Sequence, residues 1–173
     1  MLRGINLGNR QLKSAELKAV VEGMGFTEVK TLLASGNVVF EAGDAKPEAI
    51  ERDLHAALEK ATGLKSEVFA RNRADLEAVV AANPFPDEAR ERPSFLVVSF
   101  HRDPVDKAAI AKLAESYDGP ERMVAIGREL FTDFPDGQGR SNLIPAMQKA
   151  KLSHGNTARN WNTVTKLLAA LGD

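Results

Sequence analysis

Apolar positions along this chain switch between a helical and a strand period, and the switches mark out the elements. Leu17, Val20, Val21 and Met24 fall at i, i+3, i+4 and i+7, predicting a helix capped by Ser14 and stopped at Gly25. EVKTLLA and NVVFE, two β-rich runs around Ser35-Gly36, predict a hairpin. Pro47 suits the first position of a helix whose stripe is Ile50, Leu54, Ala57, Leu58 and Ala61, with Gly63 closing it. Short runs at 2–6 and 65–70 complete the order βαββαβ, the ferredoxin-like arrangement.

The second half nearly repeats that plan. Leu76, Val79 and Val80 predict a connecting helix over 73–82, ended by Asn83-Pro84. SFLVVSF (94–100) reads as a buried strand, and Asp103-Pro104 as the cap of a helix carrying Val105, Ala109, Ile110 and Leu113. RMVAI and ELFTDF flank Gly127-Arg128 as a second hairpin. PDGQGRS then leads into helices around 142–151 and 157–171. The expected fold is therefore α+β, with two packed ferredoxin-like (βαββ-type) subdomains, 1–72 and 73–173, and two C-terminal helices. No Gly-, Ser- or Pro-rich linker separates the halves, so they are expected to form one compact unit.

Several stretches resemble one known family. LRGINLG (2–8), GFTEVKTLLASGNVVF (25–40), ANPF (82–85), FPDGQGRSNL (134–143) and TARNWNTVTKL (157–167) are similar, in this order, to DUF1697, a domain of unknown function. The resemblance implies paired ferredoxin-like α+β subdomains and a cytoplasmic, mostly bacterial protein. It brings no catalytic residues and no reaction. It also implies a first strand that begins several residues before Met1.

Composition narrows the classes. With 23 Lys and Arg against 24 Asp and Glu, the net charge of -1 argues against non-specific nucleic-acid binding. The absence of cysteine excludes disulfides, thiolate metal sites and a cysteine nucleophile, and it suits a reducing compartment. No run approaches the ~18 apolar residues of a membrane helix, and the start lacks a signal-peptide core. Both ends are basic, +3 over 1–13 and +3 over 136–173, whereas 41–59 carries -4.

Three polar groupings are candidates for chemistry. On a helix over 157–171, Trp161, Val164, Leu168 and Leu171 would share an apolar face, making Trp161 a core anchor. Arg159, Asn162, Thr163 and Lys166 would share the opposite face, with Asn160 within reach of either. Such a stripe either satisfies the protein's own backbone or holds a ligand with an anion and an amide or base edge. In PDGQGRS, Gly137 and Gly139 free the backbone, Ser141 or Asn142 would cap the next helix, and Arg140 adds charge, a pattern suited to a small anion. It is not a P-loop, for it lacks the Gly-Lys-Ser/Thr ending. Arg3 and Asn6, beside Gly8 and Arg10, form the third grouping, with Arg3 expected to pair an acid internally.

No nucleophile, metal-ligand spacing or acid–base signature accompanies these groups. His55, His101 and His154 lie in unrelated settings, and Asp133 with Asp136 is a weak Mg²⁺ pair. The expectation is a cytoplasmic protein without cofactor or metal that binds a small anionic ligand, a nucleotide or phosphorylated metabolite. Gly139, Arg140 and Ser141 would meet the anion, and Arg159, Asn160, Asn162 and Lys166 would read the rest. A nucleic-acid-binding module and a protein-interaction scaffold are the alternatives.

Overall fold

Alternation and helical periodicity resolve, in a computed structural model that describes residues 1–5, 11–152 and 154–172, into two antiparallel sheets and seven α-helices among those residues. The chain divides into two compact units: Met1–Leu76 with Leu167–Asp173, and Glu77–Lys166. The return of the C-terminus to the first unit differs from the expected division at 72/73.

The first unit contains α1 (Ser14–Gly23), the hairpin β1 (Thr27–Leu32) and β2 (Asn37–Glu41), and α2 (Pro47–Thr62). Pro47 opens α2 and Gly63 closes it in the left-handed conformation, as the sequence suggests. Leu17 and Val21 of α1, Leu54 and Leu58 of α2, and Val29 and Val38 of the hairpin meet in one core. At the hairpin turn Asn37 is fully buried and donates to Leu32 O (3.1 Å) and Ser35 Oγ (2.8 Å). Gly36 is obligatory there: its φ is +72°, and a Cβ would lie 2.9 Å from Leu2 Cβ.

Among the described residues, the strands expected at 2–6 and 65–70 form no ladder, and Asn6 lies outside those residues. They meet at one antiparallel bridge, Leu2 with Val68, flanked by Arg3 N–Glu67 O (3.0 Å) and Phe69 N–Met1 O (2.8 Å). Gly4, at φ +62°, turns the chain out of the extended conformation just after Arg3, and the Ser66 hydroxyl donates to Arg3 O (2.9 Å). Among the described residues this is the one bridge between the two segments.

The second unit begins within α3 (Arg73–Ala81), followed by α4 (Pro86–Glu91), a short helix the apolar pattern does not reveal. Then come β3 (Leu96–His101), α5 (Lys107–Ser116), β4 (Arg122–Ile126), β5 (Glu129–Asp133), a 3₁₀ turn (Gln138–Arg140), α6 (Leu143–Lys149), β6 (Asn156–Asn160) and α7 (Trp161–Ala170). Asp106, rather than Asp103, caps α5, accepting from Ala108 N and Ala109 N. The sheet order is β4-β5-β3-β6, antiparallel throughout.

β6 corrects the sequence reading, which placed 157–160 inside the final helix. Residues 156–160 pair with 97–101 and alternate in burial, with Thr157 and Arg159 on the buried side. Tertiary pairing has overridden local propensity here. One sheet face, carrying Val97, Leu130, Met123 and Ala158, packs on Ile110 and Leu113 of α5 and Leu143 and Met147 of α6. The other carries Leu96, Val98, Phe100, Phe131, Asp133, Thr157 and Arg159, all buried. Among the described residues no helix is long and apolar enough to cross a membrane.

Candidate functional site

The structure separates the residues that the sequence groups together. Strand alternation puts Arg159 on the sheet face opposite Ala158, and Ala158 packs with the core of α5 and α6. Arg159 is 8% exposed and donates to Thr157 Oγ1 (2.9 Å) and Ala158 O (2.7 Å). Burial lowers its pKa to about 10, which leaves the guanidinium charged at neutral pH. Asn160 is the cap of α7: its Oδ1 accepts from Thr163 N (3.0 Å) and Thr163 Oγ1 (2.9 Å). Trp161 is buried, as expected, while Asn162 and Lys166 are exposed.

The glycine loop is likewise tied inward, on the α5/α6 side. Ser141 Oγ accepts from Leu143 N (3.0 Å), capping α6, and hydrogen-bonds to the Tyr117–Glu121 pair. Tyr117 donates to Glu121 at 2.7 Å. Burial opposes ionisation of Glu121, but hydrogen bonds from Ser141 and Tyr117 outweigh it and hold its carboxyl below the usual range. Gly139 and Arg140 are exposed. Arg3 pairs Glu67 at 2.7 Å, the internal acid its position suggested, and Asn6 lies outside the described residues.

Asp133 and Asp136 do not face a common site. Asp136 is exposed, whereas Asp133 is fully buried and its Oδ2 accepts from Arg92 (2.8 Å) and Arg122 (3.0 Å). Arg122 also pairs Glu88 of α4 and lies 4.9 Å from the centre of the Phe85 ring. This cluster fastens α4 to the sheet edge. Among the described residues no three His, Asp or Glu side chains gather as metal ligands would.

The concavity suited to a ligand lies elsewhere, in the first unit. A cavity of about 330 Å³ is lined by Val38, Val39 and Phe40 of β2, by Ile50 and Leu54, one turn apart on α2, and by Phe69, Leu76, Leu167 and Leu171. The lining is apolar except along 71–73, where Arg71, Asn72 and Arg73 border it. Among the described residues no acidic side chain lines it. The polar border is held in place. Glu51 accepts from Ala70 N (2.8 Å), fixing the segment to α2, and Arg71 donates to Ala70 O (2.9 Å). Asn72 Oδ1 accepts from Asp75 N (2.8 Å) while Asp75 accepts from Asn72 N (3.0 Å), a reciprocal cap at the start of α3. Arg71 and Arg73 therefore flank a rigid turn, and both are half-buried.

Sequence reading missed this site because its residues come from five separate stretches and spell no motif. The signal in reach was FARNR (69–73), two arginines straddling a helix cap with no acid among them.

Fold and site together define a two-unit α+β protein whose ligand-sized cavity is apolar with a cationic border. Residues 1–131 match the family described as "Protein of unknown function (DUF1697)", and the chain belongs to that family. Among solved structures it is similar to "conserved bacterial protein SP0830 from Streptococcus pneumoniae", with 20% identity and a TM-score of 0.68 over 100% of this chain and 96% of that one. At that identity the likeness concerns the fold. No curated protein matches the chain.

Proposed function

We propose that this protein binds a small anionic ligand in the cavity of its first unit, with the anion at Arg71 and Arg73 and the remainder against the apolar wall. One observation carries the reading: an apolar cavity of about 330 Å³ with the half-buried Arg71 and Arg73 at its border. Ligand sites of this kind are mostly apolar with a few fixed polar groups that set orientation. Arginine pairs are suited to planar or tetrahedral anions through forked hydrogen bonds. The neighbouring hydrogen bonds hold the border in place without a ligand, which lowers the ordering cost of binding.

We further infer that the second unit follows the ferredoxin-like plan and that the first is a reduced version of it. The order β4-β5-β3-β6 in the second unit supports the former, and the single Leu2–Val68 bridge the latter. A cytoplasmic setting is part of the same proposal, supported by the absence of cysteine.

The test is a thermal-shift screen of the whole chain against a panel of small anions, polar and apolar, with Arg71→Ala, Arg73→Ala and Ala42→Phe in parallel. Ala42 lines the cavity, so the larger side chain fills it while leaving both arginines in place. A ligand at ~100 times its dissociation constant stabilises by ~2.7 kcal/mol. The expected result is a stabilising anion whose shift is lost in all three variants. A shift retained in all three, or none across the panel, overturns the proposal.

A further inference from the structure

Strand pairing in the first unit breaks off where the cavity begins. Residues 1–3 run antiparallel to 67–69: Leu2 bridges Val68, Phe69 N donates to Met1 O (2.8 Å), and the Met1 amine donates to Phe69 O (2.9 Å). On their other side Leu2 N donates to Gly36 O (2.8 Å), just ahead of β2. Residues 1–3 thus sit between two stretches of chain, and both stretches continue past Met1 as walls of the cavity, 38–40 on one side and 68–71 on the other. β2 pairs with β1 along one edge, and among the described residues no strand pairs along the other. Alternate residues of a paired strand turn their N–H and C=O groups away from the partner, so that edge presents a row of donors and acceptors. Side chains about the gap are apolar on both faces. Val38 and Val68 share a core with Leu54 of α2, and alternation turns Val39 and Phe69, both buried, the other way. Leu76, Leu167 and Leu171, which border the same cavity, lie outside that core.

We infer that the cavity is a strand slot, and that its occupant is a short extended segment of a partner polypeptide. The segment lies between β2 and 67–71, antiparallel to 67–71 as residues 1–3 are, and joins the two into one sheet. This rests on the cavity of the proposed site and on the backbone edges of its walls, not on the charge at its border. About four residues, at ~3.3 Å each, span the slot along 38–41. All of them are apolar, because a strand covered on both faces is a continuous hydrophobic run instead of an alternating one. Backbone pairing supplies the affinity and the side-chain walls the selection, as in other complexes formed by strand addition. The amino-terminal end of the segment falls beside the 71–73 turn, so an acidic residue ahead of the run would take the place of the proposed anion.

Isothermal titration of the full chain with acetyl-Glu-Val-Ile-Val-Leu-amide tests this. Beside it run a form N-methylated at the Ile, a form with Lys in place of the Ile and the Leu, and a form with Gln in place of the Glu. The parent peptide is expected to bind and to slow hydrogen exchange at the β2 amides that face away from β1. N-methylation, which removes one donor and keeps the hydrocarbon, should weaken it roughly tenfold. The Lys form should lose at least as much, since one of its faces meets an apolar wall with charge. In a chain lengthened by Val-Ile-Val-Leu ahead of Met1 the slot is filled from within, and the peptide should no longer bind. Preference for Glu over Gln supports the anion reading as well, whereas equal binding keeps the slot and removes the anion. No binding, an affinity indifferent to N-methylation, or undiminished binding to the lengthened chain overturns the slot; an anion from the screen that still binds then leaves the small-anion site standing.

Discussion

The segment 134–163 and the cavity of the first unit are opposites in how sequence relates to role. The first is dense in residues that suggest recognition: two glycines, an Arg-Ser pair, and an Arg-Asn-Trp-Asn run. In the structure three of these side chains satisfy the protein's own backbone, and Arg140 and Asn162 are exposed. Ser141 caps α6, Asn160 caps α7, Trp161 is core, and Arg159 is buried against Thr157. The cavity is written in Val, Ile, Leu and Ala, with two arginines either side of an asparagine cap. Side chains that hydrogen-bond in fixed geometry are as useful for closing helix ends as for holding ligands, and most side-chain hydrogen bonds go to backbone or water. Motif density therefore marked structural demand, and the concave site was left to residues that look ordinary one at a time.

That contrast makes a large prediction in the second unit. Asp133 is the buried acid beneath Arg92 and Arg122, and its Oδ1 has no hydrogen-bond partner among the described residues. Asp133→Ala would strand two guanidinium groups at the sheet edge and release α4. Breaking a fully buried pair costs ~3–5 kcal/mol; with Arg92 37% and Arg122 53% exposed, solvent offsets part of this and about 2–4 kcal/mol is expected. Urea unfolding measures it. Affinity for the stabilising anion of the screen, read below the unfolding transition, should stay at the wild-type value. A selective loss of anion binding in this variant would break the division of roles between the two regions.

How much was legible follows from which forces set each element. Helices α1, α2 and α5 and both hairpins were readable because their apolar periods are long enough to bury one face. β6 was not. Its inward positions are Thr157 and Arg159, so the strand carries no apolar alternation, and its identity depends on pairing with Val98 and Phe100 some sixty residues earlier. α4 was hidden for a similar reason: PDEARE has no apolar stripe, and Glu88 with Arg122 holds it in place. The first and last strands of the first unit were overread, since a hydrophobic run reports burial but not the glycine turn that cuts the ladder short. Arg3 pairs an acid of its own chain, Glu67, but at a partly exposed position rather than on a central strand. The cavity was beyond reach because concavity is a property of packing.

A middle-sized effect sharpens the comparison. Asn160 Oδ1 satisfies Thr163 N at the start of α7, so Asn160→Ala should destabilise by about 1 kcal/mol. Asn160→Asp retains the acceptor and should recover most of the loss. Chemical denaturation of the pair reports both. If Asn160 were instead a ligand contact, Asn160→Ala would leave the midpoint unchanged and weaken binding of the anion.

Arg140 gives the smallest effect and the most discriminating one. Its neighbour Ser141 accepts from the first residue of α6, but the Arg140 side chain is exposed and makes no side-chain hydrogen bond or ion pair with the other described residues. A charge in water at the end of a 3₁₀ turn contributes little to stability, so Arg140→Ala should move the unfolding free energy by less than about 0.5 kcal/mol. Affinity for the stabilising anion should also be unchanged, because the cavity that would take it draws its lining from Met1, from positions between 38 and 76, and from 167 and 171. Arg140 carries the same charge as Arg71 and sits in a loop that looks far more like an anion site. What it lacks is an apolar wall: exposed on every side, a guanidinium competes with bulk water and salt for any anion it meets. Equal loss of anion binding in Arg140→Ala and Arg71→Ala would show that charge alone governs affinity and that the wall of the first unit contributes nothing. A loss confined to Arg71→Ala would show that the arginine matters because of what surrounds it.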